Sequence, residues 1–76
     1  MGIHLEGFGP LKDYFPPEGH CYLALEGARS LRDILEELKI PLEAILALTV
    51  NGQILELDDL PRDGETIRLI PLVGGG

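Results

Sequence analysis

The chain has 76 residues, thirteen of them acidic against six basic, for a net charge of −7. At that length a single domain buries only about 60% of the surface its unfolded chain exposes, which argues against a deep substrate pocket and an independent enzyme. The acidic balance argues against nucleic acid and anionic membrane as partners and favours a basic protein groove.

No apolar run reaches the roughly 18 residues that span a bilayer, and no N-terminal segment has a signal-peptide layout. The one cysteine, Cys21, has no internal partner, so a reducing cytoplasm is the expected location.

Along the chain, Gly2 to Phe8 alternates, with Ile3 and Leu5 on one parity and His4 and Glu6 on the other, the mark of a half-buried strand. Gly9-Pro10 and Pro16-Pro17-Glu18-Gly19 punctuate a loop or partial helical turn carrying Leu11, Tyr14 and Phe15. His20 to Leu25 reads as a second strand, with Cys21, Leu23 and Leu25 on one face and Gly27 ending it. Ser30 then offers a hydroxyl N-cap, with Asp33 three residues later. Leu31, Ile34, Leu35 and Leu38 follow at the spacing of one apolar helical stripe, and Pro41 disfavours helical geometry at Ile40.

Ala47 to Val50 and Gln53 to Leu57 flank Asn51-Gly52, the dipeptide of a type I′ hairpin turn. Asp63-Gly64 makes another turn. Thr66 to Pro71 is the last strand, with Ile67 and Leu69 inward; Pro71 lacks an N–H, so pairing is expected to stop there and release the tail. These elements give an α+β chain in β-β-α-β-β-β order, a mixed sheet of four to five strands on one main helix. The whole of 1–76 is expected to be one domain with a flexible glycine tail over 72–76.

Alternation leaves an anomaly. The polar register of the first strand is His4, Glu6 and then Phe8, and that of the last is Thr66, Arg68 and then Ile70. Each strand thus turns a large apolar residue to the face the helix leaves open, and Ile54 joins them just past the hairpin turn. Two or three such residues beside a tail would form a docking patch, unless a bulge or the Tyr14–Phe15 loop covers them.

Recognisable catalytic chemistry is missing. His4 and His20 lack the spacing of metal ligands, so no metal is expected. Cys21 has no CxxC partner or basic neighbours. Glu36 and Glu37 are adjacent on a helix and point apart, and the acids from Asp58 to Glu65 do not follow a calcium-loop pattern. Gly7 and Gly9 lack the third glycine of a nucleotide-binding loop.

The remaining feature is Val73-Gly74-Gly75-Gly76. Glycine is about 7% of average sequence, so three in succession is on the order of a 1-in-3,000 event. Such a tail buries nothing and loses much entropy when ordered. It offers a terminal carboxylate on an unobstructed backbone reaching at most roughly 10 Å past the folded body. That suits delivery into a narrow enzyme pocket; a frayed end or a cloning remnant is the bland alternative.

The closing run Asp63-Gly64-Glu65-Thr66-Ile67-Arg68-Leu69-Ile70-Pro71-Leu72-Val73-Gly74-Gly75-Gly76 resembles the ubiquitin-like sulfur carriers of the MoaD/ThiS group: acid-Gly-acid, a hydrophobic strand, proline, Val, a small residue and Gly-Gly. Phe8-Gly9-Pro10-Leu11-Lys12-Asp13-Tyr14 and Ser30-Leu31-Arg32-Asp33-Ile34-Leu35 look most like the small subunit of molybdopterin synthase. The resemblance covers nearly the whole chain and is most specific from Val50-Asn51 onward. Leu72 stands where the group often has a second proline, and Gly74 where alanine is common.

The resemblance implies a β-grasp, ubiquitin-like fold and a non-enzymatic carrier without a bound cofactor. An E1-like adenylyltransferase would use ATP to adenylate the Gly76 carboxylate, and a sulfur donor would convert it to a thiocarboxylate. That group would donate sulfur for the dithiolene of molybdopterin inside the large subunit of molybdopterin synthase. Gly74 and Gly75 would thread the partner's channel, and Phe8, Ile54 and Ile70 match the family's docking surface. The alternatives are a ubiquitin-like modifier joined to lysines through Gly76, a carrier serving thiamin or tRNA thiolation, and a passive binding module.

Overall fold

In the computed structural model, which describes residues 1–15 and 17–72, Ser30 caps the helix as its position suggests: its Oγ accepts the N–H of Asp33 at 3.1 Å. That satisfies one free donor of the first turn. The N–H groups of Leu31 and Arg32 donate to the carbonyls of Asp59 and Leu57 at 3.0 and 2.8 Å, so the segment after the hairpin closes the helix start. The helix, α1 (Leu31–Glu37), buries Leu31, Ile34 and Leu35 and leaves Asp33, Glu36 and Glu37 exposed.

Its end comes sooner than Pro41 requires. Lys39 adopts φ 60, and the N–H groups of Lys39 and Ile40 turn back to the carbonyls of Glu36 and Leu35, each at 3.0 Å. This is a Schellman cap, with buried Ile40 and Leu35 as its apolar pair. Lysine occupies the left-handed position that glycine usually takes, and Pro41 then holds Ile40 extended.

Five strands form the sheet: β1 (Gly2–Gly7), β2 (His20–Ala24), β3 (Ile45–Val50), β4 (Gln53–Leu55) and β5 (Thr66–Pro71). Their order is β2-β1-β5-β3-β4, with β1 and β5 parallel at the centre and the other neighbours antiparallel. Asn51 (φ 51) and Gly52 (φ 81) make the tight turn expected between β3 and β4. Sheet and helix together have the β-grasp arrangement.

Two boundaries differ from the alternation reading. β3 starts at Ile45 rather than Ala47, because a bulge between Ile45 and Ala47 takes up Leu46 and breaks the period of two. β4 stops at Leu55, since Leu57 uses its carbonyl on α1.

The core lies between α1 and one sheet face. Ile3, Leu5, Leu48, Val50, Ile67 and Leu69 point into it from the strands, with Leu11 and Phe15 closing one end. Leu11 belongs to a 3₁₀ turn over Gly9–Tyr14. This turn sits so close to β1 that a Cβ on Gly7 would meet the carbonyl oxygen of Leu11 at 2.7 Å and Phe15 Cδ2 at 3.0 Å. Gly7 is therefore a packing glycine, with no phosphate-loop role to explain.

Pro71 does not end the sheet. It lies opposite Ile45 in the antiparallel β3–β5 ladder, and the next residue, Leu72, donates its N–H to the carbonyl of Ala44 at 2.8 Å. Antiparallel ladders bond at alternate residues, and Pro71 falls at a position whose N–H the partner does not need. β1 has already ended at Gly7, so the other side asks for no donor either. Leu72, expected as the first tail residue, is still held by the sheet.

Candidate functional site: the open sheet face and the tail exit

The sheet face away from α1 is built by parity. From β1 it takes His4 and Glu6, from β2 His20 and Tyr22, from β5 Thr66, Arg68 and Ile70, from β3 Ala47 and Thr49, and from β4 Ile54. Phe8 follows β1 with extended backbone (φ −120, ψ 154), one step beyond the Gly7–Leu69 pair, which brings it to the level of Ile70. Ile70 is in turn opposite Ala47, giving an apolar row of Phe8, Ile70 and Ala47. Phe8 and Ile70 are half-buried.

Ile54 is set apart from that row. It is 76% exposed and pairs with Thr49, which pairs with Arg68. It thus sits two strands from β5 at the sheet edge, roughly 10 Å across at ordinary strand spacing, with Thr49 and Arg68 between it and Ile70. Register thus puts Phe8 level with Ile70 and leaves Ile54 standing apart from both.

The polar part of the face is loosely tied. Arg68 Nε lies 4.0 Å from Glu6 Oε1, His20 Nε2 lies 3.3 Å from Glu18 Oε2, and the His4 and Tyr22 rings meet edge-on at 5.0 Å. Tyr22 covers Gly2 so closely that any side chain there would strike its ring. His4, Glu6, His20 and Thr66 line a depression of 310 Å³. Among the described residues no group of three His, Cys, Asp or Glu side chains is arranged to hold a metal.

Three of the acids that follow the hairpin serve as backbone caps. Asp59 accepts from the Glu56 N–H at 2.8 Å, Asp63 from the Gly2 N–H at 2.7 Å, and Glu65 from the Arg62 N–H at 2.6 Å. These bonds explain the acid-Gly-acid run: it ties the turn before β5 to the start of β1, where Gly64 also donates to the Gly2 carbonyl at 2.7 Å. Cys21 is half-buried on the core side of β2, and burial pushes its thiol pKa up, as for an unreactive thiol.

The end of β5 is the other half of the site. Gly9, at φ 56, lies where a Cβ would come within 3.2 Å of Pro71 Cγ, so the 3₁₀ turn braces one side of the exit while Ala44 holds Leu72 on the other. Leu72 itself is 54% exposed. Val73, Gly74, Gly75 and Gly76, the residues of the expected tail chemistry, lie outside the described residues. Alternation missed the Gly9–Pro71 brace, which depends on where the 3₁₀ turn packs, and the Leu72 anchor, which depends on the phase of the β3–β5 ladder. The Gly9-Pro10 dipeptide was the one local signal.

Among the described residues no helix is long and apolar enough to cross a membrane. A family model described as Mut7-C ubiquitin matches residues 1–74. Among solved structures, SAMP1 from Haloferax volcanii is similar at a TM-score of 0.75 and 16% identity, over 100% of both chains. The putative molybdopterin converting factor subunit 1 from Pyrococcus furiosus follows at 0.73 and 18%, over 96% of this chain and 99% of that one. At those identities the two bear on the fold, which is that of the ubiquitin-like proteins. A chain from the complex of subunits 1 and 2 of the molybdopterin-converting factor of Helicobacter pylori is similar at 0.64 and 29% identity, over 100% of both chains. No curated protein matches significantly.

Proposed function

Because the chain belongs to the Mut7-C ubiquitin family, we propose that it is a ubiquitin-like sulfur carrier whose Gly76 carboxylate is the working group. The observation that carries this reading is the way β5 ends. The sheet holds Leu72, with Gly9 and Ala44 bracing the exit, and the sequence from there is Val73 and three glycines. The 29% identity to a chain of the two-subunit molybdopterin-converting factor supports the same direction.

In this reading an E1-like enzyme binds the open sheet face and draws the tail into its ATP site. The Gly76 carboxylate attacks the α-phosphate and displaces pyrophosphate, turning a poor electrophile into an acyl adenylate. A sulfur donor attacks the activated carbonyl, AMP leaves, and a thiocarboxylate results. The tail then enters a large subunit that holds the acceptor, and the sulfur passes to molybdopterin precursor as the dithiolene is built. Gly74 and Gly75 give the tail a cross-section of backbone alone. The protein contributes presentation and docking; the catalytic side chains belong to its partners.

The test is truncation. A chain ending at Val73 keeps all of β5 and Leu72, so it folds and docks but delivers no sulfur in a reconstitution with activating enzyme, ATP, sulfide and large subunit. Sulfur delivery by that truncated chain at the full-length rate would overturn the proposal.

A further inference from the structure

Charge is unevenly divided over this fold. Of thirteen acidic residues only Glu6 lies in a strand; the rest occupy α1, the 3₁₀ turn over Gly9–Tyr14, a second one over Leu42–Ala44, and the connecting segments. The strands also hold His4, His20 and Arg68, all exposed and all on the face away from α1. With neutral histidines, Arg68 and Glu6 cancel, so in a chain of net charge −7 the strand side chains of this face sum to zero, with Glu18 at its β2 edge beside His20.

Arg68 stands at the middle of that face, opposite Glu6 on β1 and Thr49 on β3, with Ile70 the next residue outward on its own strand. Its hold on Glu6 is loose: Nε is 4.0 Å from Oε1, beyond hydrogen-bond length, and the side chain is 58% exposed. The guanidinium thus points its five donors largely at water. A partner that covers Phe8 and Ile70 also strips water from Arg68, and a desolvated guanidinium without a carboxylate is strongly unfavourable. Glu6 at its present distance does not meet that need.

We propose that the open sheet face docks a partner surface that is apolar and sets a carboxylate against Arg68, and that the acidic remainder of the chain acts on the partner only at long range. The inference rests on the sulfur-carrier reading, in which this face docks the protein that receives the tail. It reverses, for this face, the basic groove that net charge alone suggests: a lysine or arginine placed opposite Arg68 would be repelled.

The experiment is a binding titration against the molybdopterin-converting-factor subunit 2 of the same organism, in physiological salt. It uses the wild-type chain, Arg68→Gln, Arg68→Glu, Ile70→Asp and Glu36→Lys, each first shown to keep its thermal midpoint. Arg68→Gln is expected to weaken binding about tenfold, Arg68→Glu further, and Glu36→Lys about twofold or less. If the Arg68 variants bind as well as or better than wild type while Ile70→Asp binds poorly, the carboxylate inference is overturned and the docking face stands. If neither position matters, this face is not the interface and both fail. If the wild-type chain does not bind subunit 2, the functional reading falls and takes the inference with it.

Discussion

The backbone N–H of Leu72 donates to the carbonyl oxygen of Ala44 at 2.8 Å, which fixes the chain one residue beyond the proline that ends β5. In the sulfur-carrier reading Gly75 works inside a partner's channel rather than in this chain's core. Gly75→Leu is therefore expected to leave the thermal midpoint unchanged, while sulfur transfer in reconstitution falls by at least about a hundredfold, the scale expected when a reacting group is misplaced by an ångström or so. Differential scanning calorimetry and a transfer assay on the same sample separate the two effects.

Gly7→Ala reaches into the core instead. Its new methyl would press on the Leu11 carbonyl and the Phe15 ring, and the backbone atoms of Leu11 cannot swing aside. A loss of about 1–3 kcal/mol in urea unfolding is expected, the usual range for overpacking. A neutral result would mean that the 3₁₀ turn sits farther from β1 than described.

Lys39→Gly should stabilise. The left-handed backbone at φ 60 strains any residue with a Cβ, while glycine adds some entropy to the unfolded chain. The balance is a gain of about 0.5–1 kcal/mol, read as a higher urea midpoint with an unchanged slope.

Cys21 supplies a pH prediction. Burial raises its thiol pKa, so the folded chain keeps the proton at a pH where the unfolded chain loses it. The unfolded state then binds fewer protons, and stability falls as pH rises through the ordinary thiol range toward the folded value. Below that range the contribution is fully present. Unfolding midpoints of wild type and Cys21→Ala compared between neutral and alkaline pH should converge as pH rises, and iodoacetamide should label the folded chain more slowly than a cysteine peptide.

The parts of the fold that were legible in the sequence are those decided by neighbours along the chain. The stripe of Leu31, Ile34 and Leu35, the Ser30 cap and the Asn51-Gly52 turn each need only a few consecutive residues, and each is found as read. What escaped depends on packing between distant segments. Gly7 looks like any strand glycine until Leu11 arrives on top of it. Pro71 looks like a terminator until the ladder phase against Ile45 is known, and Leu46 fits an alternating strand until the bulge appears.

The candidate docking residues were legible to a similar degree. Strand parity puts Phe8, Ile54 and Ile70 on one side of the sheet, but only the register reveals that Ile54 stands off from the other two. Net charge misleads about this face, because counting acids over the chain ignores that all but Glu6 lie outside the strands.

The central claim places the chemistry on the Gly76 carboxylate, and intact-protein mass spectrometry reaches it directly. The chain is incubated with its E1-like enzyme, ATP and a sulfide source that are active on a known carrier. The account predicts a mass increase equal to one oxygen replaced by sulfur, located to the last residue by fragmentation. An unchanged mass, or a change located anywhere other than Gly76, would contradict it.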